Sequence, residues 1–197
     1  MFERIIGVLR LDVNTFEAIE ADENATVQAA IIVGLVGLLA AIGAFFAART
    51  ANATMDALSQ MSEADLPLGD LLAAADINPF GAFLSALIGA FVAWLVLSAV
   101  TYFVGTSLFG GKATMGEMMR VIGFAQAPRL LSVLAFIPCL GAILSFVGWV
   151  WMLIATFIGI RQGLDLDNIK TLVTVLVSIV VVWVINWLIG LIFVGIF

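Results

Sequence analysis

Apolar and polar positions along this chain fall into long blocks. Residues 25–48 pass without a charge, twenty-four in a row. As a helix they span about 36 Å at ~1.5 Å per residue, enough to cover a hydrocarbon core of ~30 Å. This predicts a first transmembrane helix over 25–48. A polar, acidic connection follows over 49–78 with Pro67 and Asp76, in which 54–61 and 70–75 read as short helices. The uncharged run 77–111, with Pro79 at its entry and Gly110-Gly111 at its exit, predicts a second span over 80–109.

The middle is harder to divide. Arg129 and Arg161 bracket thirty-one uncharged residues, too many for one straight span and too few for two of ~20. Ile137-Pro138-Cys139-Leu140-Gly141 supplies a turn inside the run. The third span therefore borrows from the preceding segment and runs over 118–137, with a break or kink near Pro128. The fourth runs over 140–160. A re-entrant hairpin in place of the third is the alternative. Residues 171–197, uncharged throughout, form the fifth.

Ahead of the first span, Phe2, Ile5, Ile6, Leu9, Val13 and Phe16 recur at helical spacing among Arg4, Arg10 and several acids. They predict an amphipathic helix over 1–24, interrupted near 12–14, where Asn14 and Glu17 have capping-box spacing. It belongs in the membrane interface or beneath the bundle. The expected fold is an all-α membrane protein: a bundle of five transmembrane helices with an N-terminal amphipathic interfacial helix. Residues 1–24 are the cytoplasmic segment and 25–197 the transmembrane domain. No internal repeat is evident.

Composition agrees. Of 197 residues 63% are hydrophobic and 11% charged, with mean hydropathy +1.21. Soluble domains carry ~25% charged residues. Eleven of the fourteen carboxylates sit in 3–23 and 56–76, so the net charge of −6 belongs to extramembrane stretches and argues against nucleic acid as a partner. The acid-rich first twenty-five residues lack the apolar core of a secretory signal, which leaves the first span as an uncleaved insertion signal. Cys139 is the only cysteine, so no disulfide forms within the chain, and it reads as an apolar filler.

With the N-terminus inside, five spans leave Arg4, Arg10, Lys112, Arg120, Arg129, Arg161 and Lys170 cytoplasmic and only Arg49 outside. That asymmetry is what the positive-inside rule describes. It predicts a cell (inner, cytoplasmic) membrane protein with its C-terminus outside.

Small residues Gly81, Ser85, Gly89 and Ala93 repeat every four positions in the second span, with Ala82, Ala86 and Ala90 beside them. Gly34, Gly37, Ala41 and Gly43 do the same in the first span, and Gly141 with Ser145 in the fourth. Such grooves admit another backbone, either within the bundle or from a second copy of the chain. Trp149, Trp151, Trp183 and Trp187 sit within spans, with Trp151 and Trp183 too deep to be interfacial anchors. They fill the bundle or face lipid. Asn186 reads as a hydrogen-bonding group between helices.

There is no histidine, which removes Ser-His proteolysis, His-ligated zinc and His-held haem. No aspartate lies within a span for a paired-carboxylate protease, and no Gly-rich phosphate loop with its lysine is present. No catalytic residue, cofactor or metal site is expected. The one polar cluster near the membrane is Glu117, Arg120, Gln126 and Arg129 around Pro128. Glu117 and Arg120 are spaced to pair on one helix face. Two readings apply: cations snorkelling at the cytoplasmic interface, or a buried pocket that takes an anionic headgroup or a partner's carboxylate on an arginine fork.

At these residues the sequence resembles the Yip family, Ypt-interacting membrane proteins with a five-span domain. Gly123-Phe124-Ala125-Gln126-Ala127-Pro128 is similar to that domain's Gly-aromatic-Ala-x-x-Pro step. Ile137-Pro138, the helix bearing Trp149 and Trp151, and Gly159 follow at similar distances. The resemblance covers nearly the whole chain and implies a five-span fold, a cytosolic N-terminus and an outward C-terminus. Eukaryotic relatives are associated with Rab-type GTPases and vesicle traffic. This chain lacks their long N-terminal region and Asp-Leu-Tyr-Gly-Pro motif, and ~25 cytosolic residues offer little surface for a GTPase. It looks like a prokaryotic member. The expected function is a non-enzymatic multi-pass protein that organises or shapes membrane or scaffolds membrane partners. The alternative is a small transporter, channel or lipid-translocating protein with a polar pocket near Arg129. Expected partners are membrane lipids, a second copy of the chain and another membrane protein.

Overall fold

A computed structural model describes residues 1–61, 77–134, 137 and 140–196, with backbone alone at 60, 61, 183 and 185–196. All elements in it are helical: α1 (Phe2–Leu9), α2 (Val13–Ala21), α3 (Ala25–Met61), α4 (Pro79–Phe109), α5 (Met115–Ala125), a 3-10 helix (Ala127–Leu134), α6 (Leu140–Gly163) and α7 (Asn168–Ile196). Among the described residues, three helices are long and apolar enough to cross a membrane: α3 over Ala25–Ser59, α4, and α6. The 29-residue α7 contains a further apolar stretch, Asn168–Val182. The expected short helix over 70–75, Pro67 and the Pro138-Cys139 turn lie outside the described residues, as do the side chains of Trp183, Asn186 and Trp187.

The chain divides into two compact units, Met1–Val36 with Phe91–Phe197, and Gly37–Ala90. In the smaller unit, α3 does not stop at Arg49 as the charge pattern suggested. It continues to Met61 and absorbs 54–61, because a helix ends where its backbone loses partners, and a charge alone does not take them away. Asn52 then pairs with the backbone of Ile77 in both directions: its Nδ2 donates to the carbonyl (2.9 Å) and its Oδ1 accepts from the N–H (3.1 Å). Asn78 caps α4 by accepting from the N–H groups of Phe80 and Gly81, and Pro79 occupies the first helical position, where no N–H is needed.

The larger unit is built around the second half of α6. Helices α1 and α2 form a tight hairpin. Leu11 adopts φ +57° at its turn, and any side chain on Gly7 would collide with Thr15. The cap of α2 is Asp12, which accepts from the Asn14 N–H (3.3 Å) and the Thr15 hydroxyl (2.7 Å). The expected Asn14–Glu17 box does not form, because α2 starts two residues earlier and Asn14 already lies in its first turn. Arg4 ties the hairpin to the start of α3 through Asp22 (2.7 Å) and Gln28 (3.4 Å). Phe16 and Ile19 are fully buried, with Phe16 against Gly159 of α6.

The segment expected as the third span, 118–137, does break near Pro128. It starts earlier, at Met115, and changes at Gln126 from α to 3-10 geometry, which then carries Pro128 near its start. Proline has no N–H to give, so the first turn of a new helix accommodates it where a continuing helix would not. This broken segment runs antiparallel to α6. Met118 and Val121 lie against Gly163, and Pro128 and Leu131 lie against Gly148. A Cβ on Gly148 would sit 2.8 Å from the Pro128 carbonyl oxygen, so glycine is what permits the approach. Gly123 does the same elsewhere in the motif: its Cβ would meet that of Ala29 at 2.6 Å and Trp94 Nε1 at 3.1 Å. At the far end of α4, Gly110 (φ +69°) terminates the helix, and the Lys112 N–H donates to the Leu164 carbonyl (3.1 Å).

Candidate functional site

The five residues singled out around Pro128 do not converge. They separate into two pairs on successive helices. The first pair is set by the start of α5, where Thr114 and Glu117 form a reciprocal capping box. Thr114 N–H donates to Glu117 Oε2 (2.7 Å), and Glu117 N–H donates to Thr114 Oγ1 (3.3 Å). One turn on, Arg120 reaches Glu117 at 4.0 Å, the i,i+3 pairing that the spacing predicts. Its stronger contact is elsewhere. The buried guanidinium turns to α2, where Nε (2.9 Å) and Nη2 both donate to the backbone carbonyl of Glu20. A cation on the last turn of a helix satisfies free carbonyls and opposes the negative end of the helix dipole. Arg120 thus fastens α2 to α5.

The second pair is Gln126 and Arg129. Gln126 caps the C-terminus of α5, and its Oε1 accepts from Arg129 Nη1 at 3.4 Å. Arg129 is half-buried on the 3-10 helix. Its neighbour Pro128 lies beside Gly148, fifteen residues from the end of α6 at Gly163, or about 22 Å along the axis. Arg129 therefore does not share the end of the unit where Arg120 sits. Nine residues of α- and 3-10 rise carry it away.

Around Arg120 the structure gathers carboxylates that sequence spacing could not connect. The Glu20 carboxyl is pushed up to about 7, chiefly by burial, then by the nearby Glu117 and Asp165, with Arg120 opposing. Glu17 accepts from Gln162 Nε2 (3.0 Å), and Arg161 donates to Gln162 and to Asn168 (3.0 Å). Nearby, the Arg4 contact holds the Asp22 carboxyl below its ordinary range. Among the described residues, no three His, Cys, Asp or Glu side chains group as a metal would need.

The small-residue stripe runs along α4. Ser85, Gly89 and Ala93 are exposed, and a Cβ on Gly89 would meet nothing within 4 Å. Contact inside the smaller unit uses the adjacent face, where Gly37 of α3 meets Ala90 and Leu87. Gly81 lies nearest its own cap residue, Asn78. Trp149 and Trp151 are both exposed, so neither fills the interior of the larger unit. Sequence reading passed over Trp94, which is buried and donates Nε1–H to the Met119 carbonyl (2.9 Å). It also passed over the Gly148, Ala155, Gly159, Gly163 series, whose spacings of seven, four and four were visible signals of a close-packed helix face.

The family model of the Yip1 domain matches residues 6–193 of this chain. No curated protein and no solved structure matches it.

Proposed function

The chain belongs to the Yip1-domain family, and from that premise we propose that it is a five-span, non-enzymatic membrane protein that organises or shapes the bilayer or scaffolds membrane partners. The observation that carries this reading is the fate of Arg120. The best-placed cation near the membrane is spent on a helix carbonyl, and the neighbouring polar groups pair with one another. Lipid-facing surface is correspondingly apolar, with Phe103, Phe146 and Ile143 among its exposed side chains.

Five crossings are supported by length. Eleven α residues and eight 3-10 residues rise about 32 Å together, against about 36 Å for the twenty-four residues of α6 beside them. The wider rise of the 3-10 turn compensates for a segment short in residues. A cytoplasmic N-terminus and an outward C-terminus in the cell membrane are supported by Arg4, Lys112, Arg120, Arg161 and Lys170, which lie near one another in the larger unit, with Arg49 on the other side of the count. The α1–α2 hairpin would sit at that cytoplasmic surface, with the exposed Phe2 entering the interface. The open stripe Gly81, Ser85, Gly89, Ala93 would be the face for a second copy or another membrane protein.

Reconstitution into liposomes tests this. The expected result is lipid-dependent oligomers and altered vesicle shape, both weakened by Gly89→Leu, and weaker membrane effects for Phe2→Glu. Ile5 and Leu9 are poorer probes, since both are half-buried. Turnover of any substrate, or oligomers indifferent to Gly89→Leu, would count against it. A second reading, a lipid-translocating or transport protein, is favoured by Arg129, a half-buried guanidinium far from its sister cations. It predicts flux or lipid scrambling that Arg129→Leu abolishes.

A further inference from the structure

Between α4, α6 and α7 of the larger unit lies a groove of about 410 Å³, lined by Leu97 and Thr101, by Met152, Thr156 and Phe157, and by Ser178 among others. Its volume falls within the range of small-ligand sites, and its walls are almost wholly apolar with no charged side chain. Hydroxyls on helices usually donate back to the carbonyl one turn earlier. Ser98, Thr101, Thr106 and Thr171 all do so, at 2.7–2.8 Å. Thr156 has only the Met152 thioether at 3.5 Å. Ser178 is fully buried and lines the groove, yet its hydroxyl has no hydrogen-bond partner among the described residues, nor has that of Thr174 one turn before it.

A buried hydroxyl without a partner costs about 1–3 kcal/mol, and natural interiors keep few of them. Water is a poor answer here, since a buried water needs two to four polar partners and the groove supplies few. Charge excludes a phosphate or ammonium headgroup inside it. We propose that the groove seats one lipid chain carrying a single uncharged oxygen, which accepts a hydrogen bond from the Ser178 hydroxyl. Depth suits this occupant. Ser178 lies ten residues into α7, about 15 Å from its start, and Thr156 seven residues from the end of α6, about 10 Å. Both distances fall at the level of the chains of one leaflet.

Photolabelling of the full chain in nanodiscs tests the proposal, with a diazirine-bearing hexadecanol compared against the alkane of equal length. Labelled peptides are expected to include Met152, Phe157 and Ser178, with the alcohol exceeding the alkane about five-fold, the factor that a hydrogen bond of ~1 kcal/mol gives. Ser178→Ala, which removes an oxygen and adds no volume, should erase that preference. Thr156→Phe should remove labelling of the groove while Ile143 and Phe146, exposed elsewhere on α6, stay labelled. A phospholipid with the same diazirine chain separates the sources. If it labels as well as the alcohol, the occupant is a bilayer lipid. If it does not, the occupant is a free neutral lipid. Labelling no stronger than at Ile143, or a preference for the alcohol that survives Ser178→Ala, would overturn the proposal.

Discussion

Arg120 and Glu20 meet through a side chain and a backbone, so each can be altered without removing the other's contact atom. Replacing Arg120 by Met leaves the last turn of α2 without its donor and is expected to cost about 2 kcal/mol, the range of a hydrogen bond to a charged group. Arg120→Lys should recover part of it, since an ammonium can serve one carbonyl but not with a fork. Thermal unfolding in detergent reads both. Glu20 carries the opposite lesson. Its carboxyl is raised from 4.5 to about 7, so the folded chain holds a proton that the unfolded chain releases. Stability from this group is therefore complete below pH 4.5 and is lost as pH rises through 7. Because the carboxyl is only partly buried and solvent screens it, the loss is discounted to ~1 kcal/mol. Glu20→Gln should raise the unfolding temperature at pH 8 and leave it unchanged near pH 4. Asp165→Asn, which removes one of the charges facing Glu20, should shift the same titration downward without touching the Arg120 contact. A pH profile identical in all three proteins would refute this account.

At the scale of elements, the decisive feature is the close approach of the 3-10 helix to α6. Gly148→Val places a branched side chain where the Pro128 carbonyl already lies. It should destabilise by about 1–3 kcal/mol, the range for overpacking, whereas Gly89→Val, in open space, should cost far less. Unfolding temperatures of the two variants, compared in one detergent, check the contrast. The same region shows what a sequence reveals. Apolar run length, punctuated by Pro79 and by Gly110-Gly111, matched the extent of the α4 helix, and the start of α6 at Leu140 was likewise legible. It could not locate the end of α3, where polar residues continue the helix past Arg49 to Met61. Nor could it foresee the change to 3-10 geometry, which depends on what Pro128 meets on α6. Glu117–Arg120 was legible as local spacing, while Arg120–Glu20 spans one hundred positions and exists only through packing.

For the molecule as a whole, the proposed five-crossing arrangement makes a statement about sides. Cys139 is the only native thiol, so an impermeant maleimide reports cleanly. Cys139 and a new thiol from Arg49→Cys should both react from outside the cell membrane. In a Cys139→Ser background, a thiol from Lys112→Cys should react only after the membrane is opened. Reaction of Cys139 from the cytoplasmic side would mean that α5 and the 3-10 helix turn back without crossing. The reciprocal pairing of Asn52 with Ile77 bears on the sequence between them. It pins position 52 of α3 to Ile77, just before α4, so those two points stay together whatever length of sequence joins them. Lengthening a closed loop costs only about 0.6 kcal/mol per doubling. An epitope or a small reporter domain grafted between residues 62 and 76 should therefore leave the membrane-embedded part as it was, and would give the protein a handle on that face.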